Sequence, residues 1–509
     1  MARVDGSRDS GTCVTCCAST HNYRRPVPII VNLNGDFVTN ISSHQKGGWD
    51  FIFHPLAVLT NGSTLDYEAT LNQAVSINEV LQPDHLARFV VDVVSQLDLS
   101  AIYGRYGAKG GEPYAPEVLV ALLFYGYATG VFSSRKIERA TYEVVPFRYV
   151  AGNLHPDHDT LANFRKTFRG ELKGLFVQVL LLAQAMGYLK LGNISLDGSK
   201  IHANASKSHA VSYKRLLELE AYLRQEVDEL FTLAEQADQG RVPEGMNVTD
   251  EITIRKERLA QLAEAKAILE ARAQERYAAE QAEYEAKLRE REAKAERSKR
   301  KPRGRPPEPP TPGPRDSDQY NFTDPDSRIM KCSNSGGFEQ SYNAQVAVDQ
   351  GAMLIVAHAL SNHPNDKAEA EPTLAALPPA LGTPDAVAMD NGYFSASNIA
   401  ACEALGIEPY IATGREAHHQ SWQERFAQEP EPPPADATPT VKMAYKLQTA
   451  IGKAIYGLRK STVEPIIGII KAVLGFRQFS LRGLDAVSDE WALVCLAFNL
   501  KRLHSLSIG

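Results

Sequence analysis

The chain has 509 residues, 55 Lys and Arg against 61 Asp and Glu for a formal net charge of −6, and 43% hydrophobic residues. At about 100–200 residues per domain this is a chain of three or four units, and its apolar content excludes wholesale disorder. The longest nearly uncharged apolar runs, Val118–Phe132 and Phe176–Leu189, fall short of the roughly 18–20 residues of a membrane span, and no secretory pattern opens the chain, so a cytoplasmic protein is expected.

Residues 1–75 are rich in Ser, Thr, Asn and Gly without sustained periodicity, and are expected to form a poorly ordered extension. Cys13, Cys16 and Cys17, with His21, have the spacing of half a zinc site, but no second pair follows nearby, which argues against zinc. Cys332, Cys402 and Cys495 are isolated and expected to pack as small buried hydrophobes. From Ile77 the spacing turns helical. A helix is predicted over Ile77–Leu97, a second after Pro116 through the apolar run to Val131, a third at Arg135–Glu143 capped by Ser133 or Ser134, and a fourth starting between Asp157 and Thr160. Residues 76–190 are thus expected to be an all-helical domain. Such a unit can present a helix to a DNA groove, although the pattern alone favours a plain bundle.

Asn193–Ile201 then switches to period two, a strand signal. Further strands are predicted at Tyr342–Val348, Met353–Leu360, Ala386–Met389 and Pro409–Ala412, with helices around Asp366–Ala376, Ser395–Leu405 and Val463–Val473. The order gives an α/β domain with a mixed sheet, over residues 191–205 and 320–505. Residues 206–300 interrupt it. Leu216, Leu219, Leu223, Leu230 and Leu233 make Ser212–Ala237 amphipathic, a turn follows at Gly240–Asn247, and Asp250–Ser298 carries 24 charged residues among positions 251–300. A long helical hairpin inserted after the first strand is the simplest account. Residues 301–319 form a basic, Pro-rich linker, and Lys294–Arg305 holds seven basic residues against one acidic. A local basic stripe of this kind suits phosphate even in an acidic chain.

Asp197 and Asp390 each end an apolar strand segment and are followed within two residues by a glycine. Carboxylates at the carboxyl ends of strands lie where ligands bind in α/β sheets, although Asp-Gly is also turn chemistry. Glu464 and Lys471 are seven apart on one helix face, with Pro465 expected in a first turn capped by Ser461 or Thr462. Three acids offer oxygen donors for two Mg²⁺ ions, and Arg459, Lys460 and Lys471 suit the phosphates of a DNA substrate. His202, His209, His358 and His363 share no ligand spacing and are expected to be satisfied or solvated.

These segments together resemble the DDE transposases of bacterial insertion sequences, the RNase H-like group with a Tyr-Arg-Glu-Lys signature. The resemblance rests on Leu196–Ala205, Met389–Ser395 and Tyr456–Lys471, supported by Ser133–Glu138, Asp324–Arg328, Tyr342–Gln345 and Leu474–Arg477 through Asn499-Leu500. It implies an RNase H-like mixed sheet and a catalytic, metal-binding triad of Asp197, Asp390 and Glu464 served by two Mg²⁺ ions, with Mn²⁺ as a substitute. It also implies DNA contacts from Tyr456, Arg459 and Lys471, with Arg459 or the better-spaced Lys460 taking the signature's arginine position. Arg303 and Arg305, in a stretch that resembles an AT-hook core, could enter a minor groove or simply tether the hairpin. The expected function is metal-dependent cleavage and strand transfer at terminal inverted repeats of double-stranded DNA, by a homodimer in the synaptic complex, at the nucleoid in the cytoplasm. The competing expectation is a catalytically inactive DNA-binding derivative. A purely structural helical protein would leave the strand-end acids unexplained.

Overall fold

The computed structural model describes residues 59–60, 63–64, 76–106, 114–237, 243, 245–298, 305–332, 337–414, 430–434 and 436–509. The chain divides into two units, Met1–Ala74 and Val75–Gly509. In the first, the described residues form a minimal antiparallel pair, Leu59–Thr60 with Ser63–Thr64. The cysteine cluster at 13–17, His21 and Arg303 lie outside the described residues.

The second unit opens with short helices: α1 (Ile77–Val80), α2 (Leu86–Val94), α3 (Ser100–Tyr103), α4 (Pro116–Ala128), α5 (Ser134–Glu143), α6 (Val145–Val150), α7 (His158–Thr167) and α8 (Arg169–Ala185). The single helix expected over Ile77–Leu97 is two, because Pro83 lacks an amide hydrogen and pushes its predecessor into extended backbone. Ser133 stands at the start of α5 without a capping side-chain hydrogen bond, but the other helix-start signals hold. Pro116 occupies the first turn of α4, and Asp157 caps α7 by accepting from the Thr160 amide. Helix α4 is buried almost throughout its length, which is why it reads as an uninterrupted apolar run and not as a stripe.

Strand β1 (Ile194–His202) begins the sheet. The chain then leaves through β2 (Ala210–Ser212) into α9 (Tyr213–Ala237) and α10 (Val248–Ser298), and returns through β3 (Gln319–Asn321), which pairs antiparallel with β2. The hairpin has its own small core, in which Leu216 and Leu223 of α9 meet Leu262 and Leu269 of α10, with Val211 and Tyr320 at the base. Strands β4 (Arg328–Lys331), β5 (Phe338–Asp349) and β6 (Ile355–Ser361) follow. After them come α11 (Ala370–Ala375), β7 (Ala386–Met389), α12 (Ala396–Ala404), β8 (Glu408–Ile411), α13 (Pro439–Gln448), α14 (Ala450–Gly468) and α15 (Leu484–Ile508). The sheet order is β8-β7-β1-β5, with β4 and β6 sharing the far edge of the long β5. Strands β1, β7 and β8 run parallel, and β5 runs antiparallel to β1. Setting β4 aside, the principal strands in chain order lie 3-2-1-4-5 with the second reversed, the arrangement of an RNase H-like fold. The edge strand β4 and the pair β2–β3 went unpredicted, being short and lacking the continuous apolar run that marks the equally short β7.

Helix α15 is apolar on every side because it is central. It packs on α4 and α8 of the helical region and on β6 of the sheet, so both share one core. Its buried Asn499 explains itself, since the side chain donates to Ile355 O and accepts from Ile355 N. Cys332, Cys402 and Cys495 are buried. No described helix is long and apolar enough to cross a membrane.

Candidate active site

Alternation along β1 assigns its side chains to two faces. On one face Ser195, Asp197 and Ser199 all meet the helix that crosses the strand. Thr462 donates to Ser195 Oγ at 2.9 Å, the Arg459 Nη1 group donates to Asp197 Oδ2 at 3.0 Å, and Lys471 Nζ donates to Ser199 Oγ and to the Lys200 carbonyl. The other Arg459 nitrogen, Nη2, donates to Glu464 Oε1 at 3.2 Å. One buried guanidinium therefore joins the first acid to the third, and it lies 5.8 Å from the Tyr456 ring centroid.

This corrects the expectation for Pro465. Helix α14 starts at Ala450, capped by Thr449, and Pro465 sits inside it. A single π-type turn, Ile469–Val473, follows and carries Lys471. Interior proline removes one helical hydrogen bond, and such local widening is a common way of re-aiming side chains. Lys471 meets β1, whereas Glu464 is exposed and meets Arg459 of its own helix. Lys471, expected on DNA, is directed inward, and its burial, with Arg477 and Lys200 close by, lowers its pKa. Between Arg459 and Lys460, the structure puts Arg459 on the carboxylates and leaves Lys460 exposed on the helix surface. Tyr456 is partly exposed. Arg305 pairs with Glu308, and its carbonyl accepts from Arg291 on the inserted hairpin.

Asp390 follows the end of β7. The last parallel pair of the ladder is Leu196 with Met389, so the next residues, Asp197 and Asp390, fall side by side. Asp390 turns its chain by accepting from the Gly392 amide at 2.8 Å. Asp390 is thus a turn-forming residue just past a strand end, whereas Asp197 lies inside β1, whose pairing with β5 continues to His202, so the Asp-Gly turn reading does not apply to it. Burial pushes the Asp197 carboxyl up to about 6; Arg459 opposes this, while Asp390 and Asp366 add to it.

Asp366 had no role in the sequence reading. It follows β6 in an irregular segment, and its Oδ1 accepts from Lys200 Nζ at 3.0 Å, Asn343 Nδ2 at 2.7 Å and Gln345 Nε2 at 2.9 Å. Gln345 lies across Gly198 on the second face of β1, where a Cβ on Gly198 would come within 2.2 Å of it. Its Oε1 accepts from Tyr393, whose phenol stays neutral because it is buried among carboxylates. The only advance sign of these residues was the resemblance at Tyr342–Gln345, which named no role.

As they stand, no three His, Cys, Asp or Glu side chains among the described residues are grouped closely enough to hold an ion, and Arg459 lies between Asp197 and Glu464. The donor chemistry nonetheless fits a hard dication: these are carboxylates, and Asp197 is ionised reluctantly beside two others, a cost that a dication would relieve.

The RNase H-like sheet thus carries one acid within its first core strand, one just past its fourth, and a third on the helix packed against it. Comparison with known families adds to this. Residues 75–167 match the model described as Transposase domain (DUF772), and residues 310–500 match Transposase DDE domain. The chain belongs to the DDE transposases of insertion sequences, which makes it a DNA-cleaving enzyme with DNA as its substrate. Asp390 and Glu464 lie within the second match, whereas Asp197 lies between the two. Searches of curated proteins and of solved structures gave no match.

Proposed function

We propose that this transposase cuts DNA at the terminal inverted repeats of its element and joins the freed ends to target DNA, with Asp197, Asp390 and Glu464 holding Mg²⁺. Hydrolysis of one phosphodiester releases a 3′-hydroxyl, and that hydroxyl then displaces a 3′-oxygen from the target strand. Two bound Mg²⁺ ions, or Mn²⁺ in their place, would activate the attacking oxygen and offset charge on the transferring phosphate. Arg459 holds the first and third carboxylates in register from a buried position, and remains beside them as a donor for phosphate oxygens. Tyr456 and Lys460, on the accessible side of α14, meet the DNA backbone, and Lys471 braces β1 from within. Residues 76–190 recognise the repeats, the hairpin of residues 206–300 contributes to a homodimeric synaptic complex, and the work is done at the nucleoid. Arg303 and Arg305 add minor-groove contacts beside the hairpin.

The observation that supports this reading is that Asp197 and Glu464, distant in the chain, share the Arg459 guanidinium, while the ladder ending at Leu196 with Met389 brings Asp390 beside Asp197. The test is cleavage of a labelled duplex bearing the gene's own flanking ends, in Mg²⁺ and in Ca²⁺, by wild type and Glu464→Gln. We expect position-specific nicks that require Mg²⁺ and fall about 100-fold or more in the variant. Binding of the ends without cutting by either protein would favour the inactive derivative instead.

A further inference from the structure

We propose that Asp366 is a positioning residue for this reaction, fixing the turn that carries Asp390 against the strand that carries Asp197; the inference rests on the reading above. Asp390 needs such a device. It stands one residue past the last ladder pair, Leu196 with Met389, where the pairing of β1 with β7 ends. Beyond that point the turn is held by a polar network on the face of β1 opposite α14. Register places Lys200 beside Asn343 and Gly198 beside Gln345, and all three polar side chains turn their N–H groups onto one oxygen, Asp366 Oδ1. Three donors on one acceptor, one of them an ammonium, is what an ionised carboxylate supports and a neutral amide does not.

Gln345 passes this anchoring on. Its amide nitrogen is held by Asp366 and by Asn343 Oδ1, which leaves its oxygen directed at the Tyr393 hydroxyl, three residues after Asp390. A second clamp acts in parallel, as Asn398 Nδ2 donates to the carbonyls of Tyr393 at 2.6 Å and Lys367 at 2.9 Å. The turn also seats directly on Asp366, whose Cβ lies 3.9 Å from the position a Gly392 Cβ would take. Strand β1, strand β5, the segment after β6 and the turn after β7 are thereby tied at one carboxylate. Hydrogen-bonded partners of metal-binding groups tune affinity by about 10- to 100-fold, without touching the metal.

The test compares wild type, Asp197→Asn and Asp366→Asn as full chains. Mn²⁺ binding is measured by the electron paramagnetic resonance of free Mn²⁺ in the absence of DNA, cleavage is measured against Mg²⁺ concentration, and folding is followed by thermal melts. Asp366→Asn keeps the shape and removes the charge. We expect its Mn²⁺ Kd to rise about 10-fold or more, with cleavage recovering as Mg²⁺ is raised. Should Asp366→Asn fail to fold, Asn343→Ala decides instead, with a rise of about threefold expected from the loss of one donor of three. An unchanged Mn²⁺ affinity in the folded variant overturns the inference, whether or not its melting temperature falls. Failure of the reading beneath it looks different: wild type would then bind Mn²⁺ no better than Asp197→Asn.

Discussion

Gly198 shows how a single position can serve packing and chemistry together. The Gln345 side chain crosses it so closely that a methyl group would displace the amide from Asp366 and Tyr393. Gly198→Ala should therefore destabilise the fold by about 1–3 kcal/mol through unpaired buried polar groups. In a Gln345→Ala background, where the obstruction is gone, the same substitution should cost much less. Denaturant melts of the four proteins measure the coupling, and additive effects would show that Gln345 does not sense Gly198. Residues of this kind were only half legible in the sequence. Asp197 and Asp390 stood out because apolar alternation ends at each and a glycine follows, a local pattern. Asp366 did not. Its partners come from positions 200, 343 and 345, and only the register between β1 and β5 brings them together.

At the scale of elements, the inserted hairpin is the clearest feature. Its heptad leucines and charged second helix were readable over long spans, because a long amphipathic helix repeats its signal many times. The strand pair β2–β3 that closes it was not readable, since three residues hold too little pattern. That pair makes the insertion separable. Ser212 faces Gln319 across the ladder, and the hairpin's apolar cluster is distinct from the main core. Replacing residues 213–318 by a two-residue Asn-Gly turn should leave a chain that unfolds cooperatively, with a melting temperature within about 5 °C of the parent. Calorimetry would check this, and a loss of cooperative unfolding would mean that the contacts of Arg272 with Pro325 and Asp326 matter more than the closed base. Helix α14 teaches the reverse lesson. Pro465 signalled a helix start by local rules, but packing on β1 carries the helix through it.

At the scale of the whole molecule, the helical region and the sheet meet across His358. This residue of β6 packs edge-on to Phe176 of α8, with ring centroids 4.8 Å apart. Burial, with the nearby Lys173 charge adding to it, lowers its pKa from 6.5 to about 4. A depressed histidine favours the neutral form in the folded state, so its contribution is complete above pH 6.5 and is lost as the pH falls through 4. His358→Gln should flatten that part of the profile, removing on the order of 2 kcal/mol of acid-side loss between pH 7 and pH 4. Urea titrations across this range would show it, and parallel profiles for the two proteins would count against a junction sensitive to protonation.

The closed excursion between β2 and β3 also has a consequence in time. Strand β1 leaves the ribosome long before β5, with the hairpin between them. At about 5–20 residues per second, the roughly 140 residues from His202 to Phe338 take about 7–30 s to make, and Glu464 follows later still. During that interval a strand with apolar Ile194, Leu196 and Ile201 has no sheet to join, while α9 and α10, whose apolar cluster is shared only with their own base, can already assemble. On the function proposed above, the three acids come together only once Glu464 has been made, so a nascent transposase would gain its cutting site late in synthesis.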